Sequence, residues 1–518
     1  MNRTNLLQPN GVDFKSLTGE AMALALKGIS ISEFQIRTFC HILAGKTVFH
    51  YERENPLGNE YFPLCSQILR RIIGNGYLQV VDFLIDNGII ESDSRYVKGE
   101  KCIGYRFHWN IIMVGFSPVY FRGSYKNRQA LRRYRESASL AQEDAANINR
   151  KHLLKTINDP RLTVDPAAYA FLDSLYKPAI EKAKRRLSID PENGRARRQL
   201  LENQNNLNRQ NVLLEIIEDH LAGDCCKSDG KGLRFHSPFV QMKRELRQYL
   251  LFDEQPLWEI DIKGSQPYIL TLLFKESFYS KKPPSAGIFL SNIHKELYKH
   301  MNKYIDKYIP FMYPEYAESP CNTDPSFEEY TRIIESEKED IYTEIQKGVT
   351  RAMGTSRGKN RSKVKKAVLT YFFSPCHSPG MLKSPIYRVF EEEFPAVSSL
   401  LQDFKSYQTG TTEERMLPFT DDQGKIWKSR EEIDQGYKAF AHLLQRIEAT
   451  AVLDTICREI ADQWPEIPLL TVHDCILTTP IYVEHVKDYF AERLTRLIGV
   501  KPQLEVKGNT TLSVEAKH

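Results

Sequence analysis

One apolar stretch in the last fifty residues carries a histidine and an aspartate at its middle. The sequence LLTVHDCILTTP (469–480) predicts two strands joined by a two-residue turn, His473-Asp474. A turn this short holds the carboxylate at its tip with little freedom. A lone turn aspartate more often bonds to its own backbone than to a ligand. Asp474 alone therefore does not predict a catalytic or metal-binding site, and a second functional residue beside it would be needed.

A second aspartate follows a similar pattern. The sequence PLWEIDIKGSQP (256–267) predicts a strand that ends near Asp261, just before Gly264 and Ser265. Mg²⁺ prefers one or two carboxylates together with substrate phosphates. Two such ions, about 3.5–4 Å apart, serve in-line phosphoryl displacement. Asp261 and Asp474 are therefore the predicted catalytic and metal-binding residues for two Mg²⁺ ions, with Mn²⁺ as the alternative ion.

The sequence RSKVKKAVLTYFF (361–373) lies between the two aspartates and predicts a helix. Arg361 and Lys365 share one face because they are four residues apart. Cations at the start and aromatic rings at the end suit a triphosphate and a stacked base, respectively. The alternative is an amphipathic helix whose basic face is simply solvated.

The order of the three segments resembles the palm and fingers of family A DNA polymerases and of the related phage-type single-subunit RNA polymerases. Motif A of that family is a strand ending in a metal-binding Asp, usually followed by Ser-Gln, and corresponds to EIDIKGSQP. Motif B is an Arg-x3-Lys helix with an aromatic residue eight positions after the Lys, as in Arg361, Lys365 and Phe373. Motif C is a hairpin with Val-His-Asp, here 472–474. The resemblance covers roughly residues 125–518.

The sequence departs from the family pattern in motif A, which bears on the choice of sugar, and in motif B, which bears on the register of the helix. Gln266 stands where the DNA enzymes carry a glutamate that blocks the ribose 2′-OH, and Ser265-Gln266 begins two residues later than usual. Tyr371 is an alternative aromatic, because Lys363 and Tyr371 keep the spacing of Lys365 and Phe373. A bulky Gln266-Pro267 pair and a Phe373 without a hydroxyl both favour DNA as the product.

The resemblance implies a role for each matching residue. Nucleotide binding would fall to a group in motifs A and B, namely Arg361, Lys365, Phe373, Tyr371 and Gln266. Contacts with the primer-template would come from four residues: Arg234, Arg247, Gln445 and His473.

The resemblance implies an α+β chain with the right-hand architecture of palm, fingers and thumb, and the pattern before it predicts a small winged-helix domain. The winged helix rests on SQILRRIIGNGYLQVVDFLIDNGIIES (66–92), two helix-period stretches broken at Gly-Asn-Gly, and on a strand pair after it. A polar helical stretch follows, which prolines punctuate at 160, 166, 178 and 191. The predicted boundaries are 1–120 for the winged helix, 121–225 for a thumb-like region, 226–274 for the palm with motif A, 275–385 for the fingers with motif B, and 386–518 for the palm with motif C.

Composition indicates an ordinary globular protein with an anionic partner. Of 518 residues, 41% are hydrophobic and 26% charged, with a formal net charge of +5. The basic residues form local runs, which suit a polyanion: KNRQALRRYR (126–135), KAKRRL (182–187), RARR (195–198) and RGKNRSKVKK (357–366). The nine Cys lack metal-ligand spacing, and no secretory or membrane-spanning segment is evident, so we expect a reduced, cytoplasmic protein.

The sequence therefore predicts a monomeric, template-directed nucleotidyltransferase, most simply a DNA polymerase that extends a primer 3′-OH from dNTPs. A proofreading carboxylate set is not recognisable in the first 225 residues. One alternative is an RNA polymerase, or a primase-like or template-independent enzyme, that uses RNA or NTPs. The other is a non-enzymatic nucleic-acid-binding protein with a decayed palm.

Overall fold

A computed structural model gives the structure of most of the chain. The described residues are 4–25, 31–49, 61–96, 102–108, 110–111, 116–121, 150–190, 193–220, 222–223, 226–280, 287–305, 307–308, 325–353, 361–375, 384–420 and 426–508. They divide into two compact units. Unit 1 contains the described residues of 1–143, 158–226 and 237–254, and unit 2 contains those of 144–157, 227–236 and 255–518.

Unit 1 is a mixture of helices and short strands. Its helices are α1 (Phe14–Ala25), α2 (Glu33–Phe49), α3 (Ser66–Ile73), α4 (Tyr77–Asp86), α6 (Ala167–Ile189), α7 (Gly194–Glu218) and α8 (Pro238–Gln241). Its strands are β1 (Thr4–Pro9), β2 (Phe62–Pro63), β3 (Ile90–Ser92), β4 (Gly104–Phe107), β5 (Phe116–Phe121), β6 (Leu162–Val164) and β9 (Leu250–Phe252). The antiparallel pairs are β1 with β5, β6 with β9, and β4 with both β2 and β3.

The helix–break–helix pattern predicted for residues 66–86 is present. Leu69, Ile72 and Ile73 of α3 and the apolar face of α4 are buried in one core. Gly74 ends α3 with a φ of 102°, a backbone conformation that favours glycine. The first strand of the following pair lies at Ile90–Ser92, earlier than SRYV (94–97), where the sequence suggested it. Whether this arrangement acts as a winged helix stays a prediction.

The polar stretch after residue 160 forms a hairpin of two long helices, α6 and α7. Asn193 caps α7, because its side chain accepts a hydrogen bond from the Ala196 N–H at 3.0 Å. Pro178 does not end a helix, contrary to the sequence prediction, but lies inside α6. The basic runs 182–187 and 195–198 lie on these helices, and most of their cations are exposed. The run 126–135 lies outside the described residues.

Unit 2 contains the segments that carry the predicted chemistry. Its helices are α5 (Lys151–Ile157), α9 (Ser265–Leu270), α10 (Leu290–Ile293), α11 (Lys295–Met301), α12 (Ser326–Glu335), α13 (Ile341–Met353), α14 (Arg361–Phe373), α15 (Pro385–Glu393), α16 (Pro395–Lys405), α17 (Gly436–Ala449), α18 (Cys457–Gln463) and α19 (Val483–Ile498). Its strands are β7 (Lys227–Ser228), β8 (Phe235–His236), β10 (Gln255–Pro256), β11 (Trp258–Ile262), β12 (Thr412–Thr420), β13 (Ile426–Asp434), β14 (Leu470–Val472), β15 (Cys475–Thr478) and β16 (Leu504–Lys507).

An antiparallel sheet in the order β14-β15-β11-β16 forms the centre of unit 2. Its middle strands carry Ile260 and Ile476, both fully buried. A π-helical segment, Thr450–Ile456, joins α17 to α18. Over the described residues, we find no helix with the length and apolar character that crossing a membrane requires.

Candidate active site

Asp261 and Asp474 lie side by side on the central sheet of unit 2. Asp261 of β11 is paired with Cys475, the first residue of β15, and Asp474 precedes Cys475 in the turn of the β14–β15 hairpin. Neighbouring strands are about 4.8 Å apart, so the two carboxylates are close. Burial raises the pKa of the Asp474 carboxyl, the Asp261 carboxylate adds to the effect, and a hydrogen bond from Ser265 opposes it. The hairpin has the two-residue turn that the sequence predicted.

A lysine that sequence reasoning missed pairs with one of these carboxylates. Lys507 Nζ lies 2.6 Å from Asp261 Oδ2 and 2.7 Å from Glu505 Oε2. Lys507 reaches Asp261 because β16 is antiparallel to β11. The sequence separation of 246 residues between the two side chains explains why no local pattern could reveal this contact.

Gly264 allows the chain to turn from β11 into α9. Its φ of 69° is left-handed and favours glycine, and α9 begins at the next residue, Ser265. The following residue, Gln266, is 7% exposed, and its Nε2 donates to Glu448 Oε2 at 2.5 Å. Gln266 and Pro267 are both buried, and their role as a bulky block beside a sugar stays a prediction. The Gln266 Oε1 atom has no hydrogen-bond partner among the described residues and remains an acceptor for a ligand.

Glu448 on α17 is the second site residue that the sequence analysis missed. Its side chain is almost fully buried, and Oε1 accepts from Arg234 Nη2 at 3.1 Å and from Arg234 Nε at 3.2 Å. Burial raises the pKa of Glu448 to about 7, with Asp474 adding to the rise and Arg234 opposing it. The available signal was periodicity, because Glu448 follows Leu444 by one helical turn and therefore falls on the apolar face of LLQRIEATAV.

The loop that carries Arg234 is held by Arg150, which is 1% exposed. The Arg150 guanidinium donates to the Leu233 carbonyl at 2.5 Å and to Ser228 Oγ at 3.0 Å. It also donates to both carboxylate oxygens of Asp454, at 2.7 and 2.8 Å, in the π-helical segment. A bidentate arginine–carboxylate pair fixes geometry as well as charge. Arg150 therefore ties the Arg234 loop to the helical turn that follows Glu448.

Gln445 lies on α17, one turn before Glu448, and contacts the same loop. A Cβ atom on Gly232 would come within 2.2 Å of Gln445 Oε1, so the loop and the Gln445 side chain approach each other closely here. The next residue, Arg446, donates to the Lys231 carbonyl at 2.5 Å and to the Ile293 carbonyl at 3.0 Å. Gln445 and Arg234 are thus brought together on the described part of unit 2.

The cationic face of α14 is directed at Tyr342, a buried residue of α13. The Arg361 guanidinium lies 5.4 Å, and Lys365 Nζ 5.8 Å, from the centroid of the Tyr342 ring. The same ring would lie 3.8 Å from a Cβ on Gly264, so Tyr342 joins α14 to motif A. Burial raises the pKa of the Tyr342 hydroxyl, and the charges of Asp340 and Asp474 contribute to the rise.

Arg361 is also paired with a carboxylate. Its Nε lies 2.5 Å from Asp340 Oδ2, in the residue that precedes α13. Arg361 is nevertheless 47% exposed, so it retains hydrogen-bonding capacity toward solvent. Lys365 is exposed on the next turn of α14.

The two candidate aromatic residues of α14 are in different environments. Tyr371 is 4% exposed, bonds to Ser398 through its hydroxyl, and packs against Phe390 and Tyr387 at centroid distances of 5.0 and 4.8 Å. The Tyr371 ring is therefore part of the core in this structure, and its stacking on a nucleotide stays a prediction. Phe373 is half-buried at the last position of the helix and remains the candidate.

The two remaining predicted site residues, His473 and Arg247, belong to different units of the chain. His473 occupies the hairpin turn with a φ of 57° and is half-buried next to Asp474. Arg247 belongs to unit 1, in the 3-10 helix Arg244–Tyr249, and is not among the residues that unit 2 brings together.

Asp261 and Asp474 are the carboxylates available for a divalent cation. In the described ranges, no group of three or more His, Cys, Asp or Glu side chains could hold a metal ion by itself. Two carboxylates still fit Mg²⁺, which takes its other ligands from phosphates and water. The raised pKa of Asp474 supports this fit, because two neighbouring carboxylates repel each other and a cation would relieve the repulsion.

Comparison with known proteins gives a weak likeness to solved structures and no match to a family model. No protein-family model matches the chain, and no curated protein matches it. Among solved structures, the chain is similar to the POL domain of Pol1 from M. smegmatis in complex with DNA primer-template and dNTP. The TM-score is 0.40 and the sequence identity 12%, over 93% of this chain and 82% of that chain. At this TM-score the likeness assigns neither family nor function.

Proposed function

We propose that the chain is a nucleotidyltransferase that extends a primer 3′-OH on a DNA template from dNTPs. The observation that carries the proposal is the adjacency of Asp261 and Asp474 on paired strands, beside a helix that directs Arg361 and Lys365 toward the same tyrosine. Paired carboxylates next to two cations suit phosphoryl transfer, in which both the metal ligands and the triphosphate must be positioned. The motif order and resemblance described above add to this geometry.

Asp261 and Asp474 would hold Mg²⁺. When bound, Mg²⁺ activates the attacking oxygen and neutralises charge on the leaving pyrophosphate. Lys365 and Arg361 bind the triphosphate and stabilise the negative charge that develops during transfer. Phe373 stacks on the incoming base at the end of the same helix.

The residues around Glu448 position the primer. Arg234 is held by Glu448, and Gln445 lies beside the same loop, so both are fixed before nucleic acid binds. His473, next to Asp474, contacts the primer end. Because Gln266 and Pro267 are buried, the preference for deoxyribose now rests on Phe373, which lacks a hydroxyl for a ribose 2′-OH.

Incorporation of labelled dNTPs or NTPs on a primed template with Mg²⁺ tests the proposal. We expect the wild type to incorporate dNTPs. Asp474→Asn and Asp261→Asn should each lower the rate of incorporation on the order of a thousandfold, equivalent to about 4 kcal/mol of activation free energy. Asp488→Asn changes an exposed carboxylate on α19 and should retain full activity. Lys365→Ala should raise KM for the nucleotide and also lower kcat, because Lys365 is proposed both to bind the triphosphate and to stabilise the charge that develops during transfer.

Other outcomes of the same assay would favour one of the alternative functions. NTP incorporation would indicate an RNA polymerase, and extension in a reaction without template would indicate a template-independent enzyme. A wild-type rate for Asp474→Asn contradicts the metal assignment. DNA binding without incorporation of either nucleotide favours a nucleic-acid-binding protein.

A further inference from the structure

Two cysteines of unit 1, Cys65 and Cys102, lie opposite each other at the end of a strand pair. In β2 and β4, Phe62 is paired with Tyr105 and Pro63 with Gly104. The ladder continues through a hydrogen bond from the Leu64 N–H to the Ile103 carbonyl at 3.1 Å. The next pair in this register is Cys65 with Cys102.

This register has the spacing that a disulfide requires. Because the Leu64–Ile103 pair is hydrogen-bonded, the following pair is of the non-hydrogen-bonded kind, with Cα atoms about 4.5 Å apart. Disulfides span Cα distances of roughly 4.4–6.8 Å. The two thiols are close enough to influence each other, because Cys102 contributes to the lowered pKa of Cys65 and Cys65 to the raised pKa of Cys102.

The two thiols also differ in character. Cys65 precedes the first turn of α3, and the N–H groups of Ile68 and then Gln67 lower its thiol pKa, although burial opposes this. Burial and the neighbouring Cys65 raise the pKa of Cys102. Both side chains are half-buried, so a small oxidant can reach them.

We infer that Cys65 and Cys102 form a redox-active pair that a peroxide converts into a reversible disulfide. The Cys65 thiolate attacks one peroxide oxygen, which yields a sulfenic acid and one water. The Cys102 thiol then attacks the Cys65 sulfur, the S–S bond forms, and a second water leaves. Two thiols lose two electrons in total, and one hydrogen peroxide is reduced to two waters.

The disulfide would close a covalent ring around α3, α4 and β3. These elements form the segment predicted as a winged helix, and the ring would hold α3 to the start of β4. This inference does not depend on the proposed function, because it involves only residues of unit 1.

Peptide mapping of the full chain tests the inference directly. The reduced protein is treated with hydrogen peroxide, alkylated, digested without reductant and analysed by mass spectrometry. We expect one cross-linked peptide pair that joins Cys65 to Cys102 and disappears after treatment with dithiothreitol. In the reduced protein, Cys65 should be alkylated several-fold faster than Cys102.

Variants separate a specific pair from general oxidation. Cys65→Ser and Cys102→Ser should each remove the cross-link, and Cys102→Ser should leave Cys65 as a sulfenic acid that dimedone traps. Cys226→Ser, at another half-buried cysteine of unit 1, should leave the cross-link unchanged. The inference is overturned if both thiols of the wild type stay alkylatable after peroxide, or if either cysteine is linked to a different partner.

Discussion

At the scale of single residues, Glu448 connects the groups of the candidate site. It accepts from Arg234 on one oxygen and from Gln266 on the other, and the charge of the nearby Asp474 carboxylate contributes to its raised pKa. A buried carboxylate is tolerated only when such partners satisfy it. Arg234, Gln266 and Asp474 therefore share one electrostatic environment.

The substitution Glu448→Gln keeps the shape of the side chain and removes its charge. We expect kcat/KM for dNTP incorporation to fall on the order of tenfold, because one charge-assisted hydrogen bond is worth about 1.5–3 kcal/mol. Glu459→Gln is the matched control, since Glu459 pairs with Arg493 at 2.5 Å on α18 but takes no part in the site. An equal fall in kcat/KM in the two variants would show that the effect of Glu448→Gln is merely structural.

The same variant also changes how stability depends on pH. The folded pKa of Glu448, about 7, lies above its ordinary value of 4.5, so folding favours the protonated form. The wild type therefore loses stability as pH rises from about 4.5 through about 7, and Glu448→Gln should flatten this part of the profile. Chemical denaturation at several pH values measures the difference.

Sequence reasoning finds residues whose neighbours are close in sequence. Asp261, Asp474, Arg361 and Lys365 stood out because a strand end, a two-residue turn and a four-residue spacing are local patterns. Lys507 and Arg150 did not, because their partners lie 246 and 304 residues away. The burial of Tyr371 was not predictable either, because helix periodicity does not show which ring the neighbouring helices cover.

At the scale of elements, α17 is central to the candidate site because it carries Gln445 and Glu448. It begins at Gly436, where a Cβ atom would lie 1.8 Å from the Tyr407 carbonyl oxygen and 2.8 Å from that of Lys405. These neighbours are backbone atoms, which cannot move as a flexible side chain can. The start of α17 is therefore packed against the end of α16 with no room for a methyl group.

We expect Gly436→Ala to lower the free energy of unfolding by about 1–3 kcal/mol through overpacking. Gly194→Ala is the control, because Gly194 also begins a helix, α7, and nothing lies within 4 Å of its added Cβ. That control should be neutral or should stabilise by about 0.5–1 kcal/mol. Urea denaturation compares the two, and a neutral Gly436→Ala would contradict the close packing at α17.

The elements that were predictable have strong local periodicity. The β14–β15 hairpin, α14 and the α3–α4 pair follow from alternating or helical patterns with clear turn residues. The π-helical segment between α17 and α18 could not be predicted, since its apolar sequence also fits a regular helix. Pro178 was expected to break α6, but packing along a 23-residue helix outweighed its local effect.

At the scale of the whole molecule, the folded units do not follow the chain order. Unit 2 takes residues from 144–157 and 227–236 as well as from 255–518. The two short segments supply Arg150 and Arg234, and Thr156 Oγ1 accepts from the Leu469 N–H at 2.9 Å. Residues 255–518 alone would leave the half-buried Asp454 and the buried Glu448 without their arginine partners.

We therefore expect the fragment 255–518 to show no cooperative unfolding transition by circular dichroism, because losing one partner of a buried ion pair costs about 3–5 kcal/mol. Co-expression with the fragment 1–254, which contains both short segments, should restore a cooperative transition and resistance to proteolysis. A fragment 255–518 that unfolds cooperatively without its complement would show that the short segments are dispensable.

The ion pair between Lys507 and Asp261 has a consequence for cation affinity. One of the two proposed metal-binding carboxylates already has a cationic partner, supplied by the last strand of the sheet. Loading Mg²⁺ would then be an exchange of one cation for another, and the apparent affinity would include the work of detaching the ammonium. The lysine acts as a resident counterion, which offsets part of the repulsion between the two aspartates. It would set a threshold that a divalent ion exceeds more easily than a monovalent one.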